Sequence, residues 1–164
     1  MPRLLLSLVL LLCPMIAQAV PVSSAFPGAE MRGEATLRFL GLPLYQARLY
    51  TPAGRALDWQ EDMALELTYL RRLSETDLVE ATLREFSRTG GPLPLRDQLL
   101  NCYDDVGRGD RYLAVSNGPD EVLFSRNGQR MCALSHPRIK QRFMAIFLGD
   151  DTRSPSFTRR LRGQ

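Results

Sequence analysis

The chain has 164 residues, of which 45% are hydrophobic and 24% charged, with 12 glycines, 11 prolines and three cysteines. That balance is too apolar for a disordered segment and too poor in cysteine for a disulfide-dense scaffold, and the length suits one domain with its own core. The formal charge of +3 arises from 21 basic residues, all arginine except Lys140, interspersed with 18 acids. Only Arg159, Arg160 and Arg162 form a dense basic run, so the concentrated basic face of a nucleic-acid binder is missing. The single histidine, His136, excludes sites built on several imidazoles.

Residues 1–19 read as a secretory signal peptide. Arg3 supplies the positive start, residues 4–12 are apolar apart from Ser7, and Pro14 ends the helix-forming stretch. Ala17 and Ala19 stand where a signal peptidase reads small residues, so cleavage is expected after Ala19, with the mature chain in the periplasm. The apolar run is shorter than the roughly 20 residues that span a bilayer, and no transmembrane segment is expected. Cys13 falls within the discarded part, and the leucines before it do not suit a lipoprotein signal. Cys102 and Cys132 remain. An oxidising compartment favours a disulfide between them, worth about 3–4 kcal/mol in the chain-entropy model; two buried free thiols are the alternative.

Residues 20–32, with Pro21, Ser23, Ser24, Pro27 and Gly28, read as an irregular leader before a single domain over 33–164. Ala35, Leu37 and Phe39 then alternate with polar residues, as do Tyr45, Ala47 and Leu49, which predicts a hairpin interrupted at 41–43. A third strand spans 63–71. Ser74 caps a helix in which Val79, Thr82, Leu83 and Phe86 face inward and Glu80 and Arg84 pair outside. Gly90, Gly91 and Pro92 end it, and a second helix covers 94–103 with Leu95, Leu99 and Cys102 on one side. Strands follow at 111–116, 121–126 and 129–134, the last two joined by Asn127-Gly128, the strongest two-residue hairpin signal in the chain. His136-Pro137 opens a helix with Ile139, Phe143, Ile146 and Phe147 inward, and Ser154-Pro155 starts a last one carrying Phe157 and Leu161. Strands and helices come in blocks, which predicts an α+β fold: an open-faced antiparallel sheet with helices on one face.

Chemistry is sparse. No nucleophile elbow, phosphate loop or zinc motif is present, and Asp104, Asp105, Asp110, Asp150 and Asp151 suit solvated turns better than a metal cage. Neither a metal nor a cofactor is implied, and His136 reads as a surface or capping residue. Arg38 is the stronger candidate, because a guanidinium beside an apolar hairpin can hold a carboxylate by two parallel bonds. Tyr45 could add a phenolic donor. Simple alternation places Arg38 on the polar face and Tyr45 on the apolar one, so they converge only if 41–43 shifts the register. Arg32 is a substitute. Tyr69 faces the core, where its hydroxyl needs a partner.

The stretch from Arg38 through Gly41, Pro43 and Tyr45 to Leu49 and Tyr50 resembles the opening hairpin of exported bacterial chalcone isomerase-like proteins. Residues 65–71, 105–110, Asn127-Gly128, and 142–148 followed by Thr152 resemble their later elements, in order and spacing, over roughly 33–162. The resemblance implies the open-faced sheet with a helical layer. It also brings two precedents: plant enzymes that close a flavonoid ring by attack of a phenolate on an enone, and non-catalytic fatty-acid binders in which an arginine and a tyrosine hold the acid head group. By position, Tyr45 stands where the plant enzyme has a ketone-polarising threonine, with Arg38 or Arg32 as the matching arginine.

The expectation is therefore a non-catalytic periplasmic binder of a small amphipathic ligand such as a fatty acid, with Arg38, Tyr45, Tyr69 and Arg32 as ligand-binding residues. An isomerase of the chalcone-to-flavanone type and an interaction module without a small ligand are the alternatives. A binder needs an internal apolar cavity, whereas a module has a filled core and an exposed apolar patch.

Overall fold

In the computed structural model, which describes residues 22–164, every strand pairs antiparallel with its neighbour in sequence. A one-turn helix α1 (Val22–Ala25) precedes β1 (Ala29–Phe39), β2 (Leu42–Pro52) and β3 (Ala64–Tyr69). Helices α2 (Glu75–Gly90) and α3 (Arg96–Cys102) lead to β4 (Arg111–Ser116), β5 (Glu121–Arg126) and β6 (Gln129–Ser135), and α4 (Ile139–Leu148) and α5 (Pro155–Leu161) complete the chain. This is the expected α+β architecture, a six-stranded open sheet in the order β1-β2-β3-β4-β5-β6. The export signal and its cleavage site lie outside the described residues, among which no helix is long and apolar enough to cross a membrane.

Period-2 alternation sends one side of each strand toward the helices. Ala35, Leu49, Leu65, Leu67, Ala114, Phe124 and Leu134 from the sheet meet Val79, Phe86, Leu99, Ile139, Phe143, Met144 and Leu161 from α2 to α5 in one core. Each large side chain buried there contributes about 1.5–3 kcal/mol relative to exposure.

The helix ends follow local chemistry. Ser74 and Asp77 form a reciprocal capping box: Ser74 Oγ accepts from Asp77 N–H at 3.1 Å, and Asp77 accepts from Ser74 N–H at 3.0 Å. Gly91, with φ of 89°, ends α2. At its C-terminal end, Arg142 of α4 donates to Phe86 O at 3.0 Å and Gly91 O at 2.5 Å. Cys102 and Cys132 are joined, with Cα atoms 5.1 Å apart, which ties α3 to β6. Gln98 reinforces that tie by bonding both backbone groups of Ser135.

Three local readings change. The leader is not irregular throughout: α1 occupies part of it, and β1 starts at Ala29, because a bulge between Met31 and Gly33 hides the alternation. The third long helix starts at Ile139 instead of His136, since Arg138 is left-handed (φ 59°) and its N–H, like that of Lys140, donates to the turn after β4, at Asp120 and Pro119. Glu80 pairs with Arg96 of the next helix at 2.7 Å, not with Arg84.

Gly33 is where α5 crosses the sheet edge. A Cβ there would stand 2.6 Å from the Arg160 carbonyl oxygen, so Gly33→Ala should lower unfolding free energy by about 1–3 kcal/mol in denaturant titration. Reduction of Cys102–Cys132 should lower it by about 3–4 kcal/mol, read as a drop in the denaturant midpoint on adding dithiothreitol.

Candidate functional site

The helix-facing side of the sheet gathers tyrosines. Tyr45 of β2 stands directly opposite Tyr69 of β3, their rings 6.1 Å apart and edge-on. Tyr69 meets Tyr112 of β4 at 6.3 Å, and Tyr112 meets Tyr103 at 5.6 Å, both nearly perpendicular. Phe147 of α4 and Phe157 of α5 close over Tyr45 at 6.3 and 6.1 Å. Edge-to-face rings pack densely and still carry hydroxyl handles. The Tyr103 hydroxyl shares a hydrogen bond with Thr82 Oγ1 at 3.2 Å, and the Tyr112 hydroxyl accepts from Asp104 N–H at 2.8 Å.

Burial raises the pKa of this group. Tyr103 is pushed from 10.0 to about 12, against the Thr82 hydrogen bond that pulls it down. Tyr45 rises further, through burial and the charge of Glu85, and Tyr69 rises through burial and the neighbouring phenols. The cavity beside them, bounded by Leu67, Tyr69, Tyr103, Tyr112, Phe124 and Phe143, measures about 20 Å³. That is room for one water.

The four ligand-binding residues expected from sequence do not come together. Tyr45 and Tyr69 join in the tyrosine row. A register shift does occur after Leu37, as convergence required, but it leaves Leu37 opposite Tyr45 and Arg38 opposite Pro43. Arg38 is exposed and donates to Gly41 O at 3.2 Å across its own turn. Arg32, at the β1 bulge, donates to Arg162 O at 3.1 Å and Gly163 O at 3.3 Å, beyond α5.

A larger recess lies on the opposite face. One transverse row crosses all six strands there: Glu34, Arg48, Glu66, Leu113, Ser125 and Arg130. Arg48 pairs with Glu34 at 2.6 Å and approaches Glu66 at 3.5 Å, while Arg111 approaches Glu66 at 3.8 Å. The Glu66 side chain is only 8% exposed, so its charge rests on these two guanidiniums. The next row is apolar over β3–β5, with Ala64, Val115 and Leu123, and Val22 of α1 and Phe26 just after it pack on this patch. Beside α1, Leu113, Val115 and Leu123 border a recess of about 240 Å³, with Glu66, Arg111 and Arg130 also lining it. Sequence reading missed this site. Its signal was the continuous apolar run of residues 112–115, which marks a strand covered on both faces.

Among the described residues no group of three or more His, Cys, Asp or Glu side chains is placed to hold a metal ion. No family model matches the chain, and no curated protein matches it in sequence. Among solved structures it is similar to a fatty-acid binding protein of Arabidopsis thaliana, with a TM-score of 0.66 at 9% sequence identity, covering 84% of this chain and 88% of that one. The likeness is one of fold, the chalcone isomerase-like fold that the opening hairpin implied.

The raised phenol pKa values make the folded state the tighter proton binder, so the stability they supply is intact below pH 10 and falls as pH climbs through about 12. Alkaline titration should show tyrosinate absorbance from Tyr103 appearing together with loss of helical circular dichroism. Smooth ionisation near 10.0 with the fold intact would contradict it.

Proposed function

We propose that the chain is a non-catalytic binder of a small amphipathic anion, seated on the outer face of the sheet with its apolar part on Leu113, Val115 and Leu123. The observation that carries this reading is the recess of about 240 Å³, an apolar floor edged by Arg111 and Arg130, with the one lining carboxylate, Glu66, already faced by Arg48 and Arg111. Arg130 makes no ion pair among the described residues and is exposed at the rim, free to meet a carboxylate or phosphate. Arg111 is held only loosely by Glu66. The helix-facing side offers about 20 Å³, so the internal cavity expected of a binder is not open. The filled core with exposed Phe39, Leu40 and Leu42 meets the expectation for an interaction module, and of the two cavities the binder reading rests on the outer recess alone.

Two further observations support the reading. The Arabidopsis protein of the same fold is a fatty-acid binder, which favours a carboxylate with an apolar tail. The signal-like residues 1–19 and the Cys102–Cys132 bridge favour a periplasmic setting, where such a ligand needs a carrier.

Native mass spectrometry of protein purified without detergent, followed by titration with dodecanoate, tests this reading. One ligand per chain is expected. Arg130→Glu should weaken binding about tenfold or more, since a hydrogen bond to a charged group contributes roughly 1.5–3 kcal/mol. Leu123→Trp should block it by filling the recess, while Tyr45→Phe should leave it unchanged. Wild-type affinity in Leu123→Trp, or no dodecanoate binding at all, would overturn the assignment.

A further inference from the structure

The β1–β2 hairpin closes through Leu40 and Gly41, both with positive φ, 50° and 79°. The β5–β6 hairpin has nearly the same pair of angles, 50° and 86°, at Asn127 and Gly128. Both are turns that require left-handed backbone at two positions, and Asn-Gly is the sequence that tolerates it. Leucine is strained there, and no packing compensates, because Leu40 is 86% exposed. Its neighbours Phe39 and Leu42 are 61% and 53% exposed. A strained turn that carries three large apolar side chains into solvent weakens the folded chain twice over, so its value lies in a contact made outside the chain.

The surroundings say what kind of contact. Arg38 stands one register pair below the turn, opposite Pro43. Leu70 donates to Leu44 O at 3.0 Å, so exposed Arg71 and Arg72 follow where the hairpin begins to protrude. Gly109 donates to Tyr69 O at 2.8 Å, which brings exposed Arg108 to the same end of the sheet. None of these four guanidiniums has an ion-pair partner among the described residues. Most acids of that end are engaged elsewhere: Asp104 and Asp110 with Arg126, each at 3.2 Å, Asp77 in the capping box, and Asp105 on the Glu75 N–H. Among the described residues this leaves the Glu75 carboxylate as the one unpaired acid against four unpaired guanidiniums. An apolar wedge ringed by free cations complements a surface that is negative outside and apolar beneath.

We infer that the β1–β2 hairpin tip docks the protein on an anionic lipid bilayer: Phe39, Leu40 and Leu42 enter the interface, and Arg38, Arg71, Arg72 and Arg108 meet the phosphates. The inference is independent of the outer-face recess.

Co-sedimentation with phosphatidylcholine vesicles, with and without phosphatidylglycerol, tests it. The wild-type chain should sediment with the anionic vesicles, be released by salt, and ignore pure phosphatidylcholine. Leu40→Asn separates the two roles of the residue, because asparagine suits the turn. It should raise the thermal midpoint while weakening vesicle binding about tenfold, the scale expected for burying one leucine. Arg71→Glu with Arg72→Glu should weaken binding comparably. Leu123→Trp, which fills the recess, should bind vesicles as wild type does; loss of binding there would overturn the tip assignment. So would wild-type vesicle binding by Leu40→Asn, no sedimentation of the wild type, or a wild-type dimer that Leu40→Asn converts to monomer.

Discussion

The helical layer is held down by guanidinium groups on helix carbonyl ends. An α-helix leaves its last four carbonyls without intrahelical partners, and its C-terminus carries partial negative charge. Here α2 ends on Arg142 of α4, α4 ends on Arg162 just beyond α5, and the chain beyond α5 rests on Arg32 at the β1 bulge. Each clamp binds one element to another distant in sequence, so the layer is anchored stepwise back to the edge of the sheet. A planar fork that makes two directed bonds serves this purpose where an ammonium offers a point charge. Of the chain's 21 basic residues one is a lysine. That lysine, Lys140, caps the Gln60 and Glu61 carbonyls in the same manner.

The clamps shape what the two faces can do. With α4 and α5 held onto β1 and β2, Phe147 and Phe157 close on Tyr45, and the helix-facing cavity shrinks to the size of a water. The rings pack edge to face, and the Tyr103 and Tyr112 hydroxyls find hydrogen-bond partners, whereas the Tyr45 and Tyr69 hydroxyls have none among the described residues. Among the described residues the opposite face has only α1 as cover and keeps an open recess. Arg32, an attractive ligand partner by position, is occupied in the clamp and is not available to either face.

Local chemistry was readable from sequence. The Ser74–Asp77 cap, the Asn127-Gly128 turn, the alternation from Ala35 through β2 and β3, and the three short extended runs of β4 to β6 each depend on residues within a few positions, and they appear where expected. The Cys102–Cys132 bridge was readable too, as one of two alternatives. What failed depends on distant partners. Glu80 prefers Arg96 on another helix, and Arg138 turns left-handed because Asp120, 18 residues earlier, takes its N–H. The site was the least legible part. Whether Arg38 reaches Tyr45 depends on a register shift that the residues permit but do not specify. The Glu34-to-Arg130 row exists only once six strands are aligned.

Positive φ at non-glycine residues shows where this chain accepts local cost. Arg138 is pinned through its N–H to Asp120 at 2.7 Å, and Ala53 through its N–H to Gly28 O at 2.9 Å, so surrounding structure stabilises both. Asn127 suits its turn by residue type. Leu40 has neither support, being exposed, apolar and left-handed at once. The second departure from local rules is Glu66, an almost fully buried carboxylate on the open side of the sheet, balanced only by Arg48 and Arg111. Both departures lie away from the helix-facing core, where apolar packing, ring geometry and helix caps agree and the unpartnered polar atoms among the described residues are Arg142 Nε and the Tyr45 and Tyr69 hydroxyls. Natural sequences concentrate such conflicts where selection acts on something other than stability. By that criterion the helix-facing side is packed chiefly for stability, and the outer face and the hairpin tip, which carry these two departures, are where the proposed ligand and membrane contacts fall.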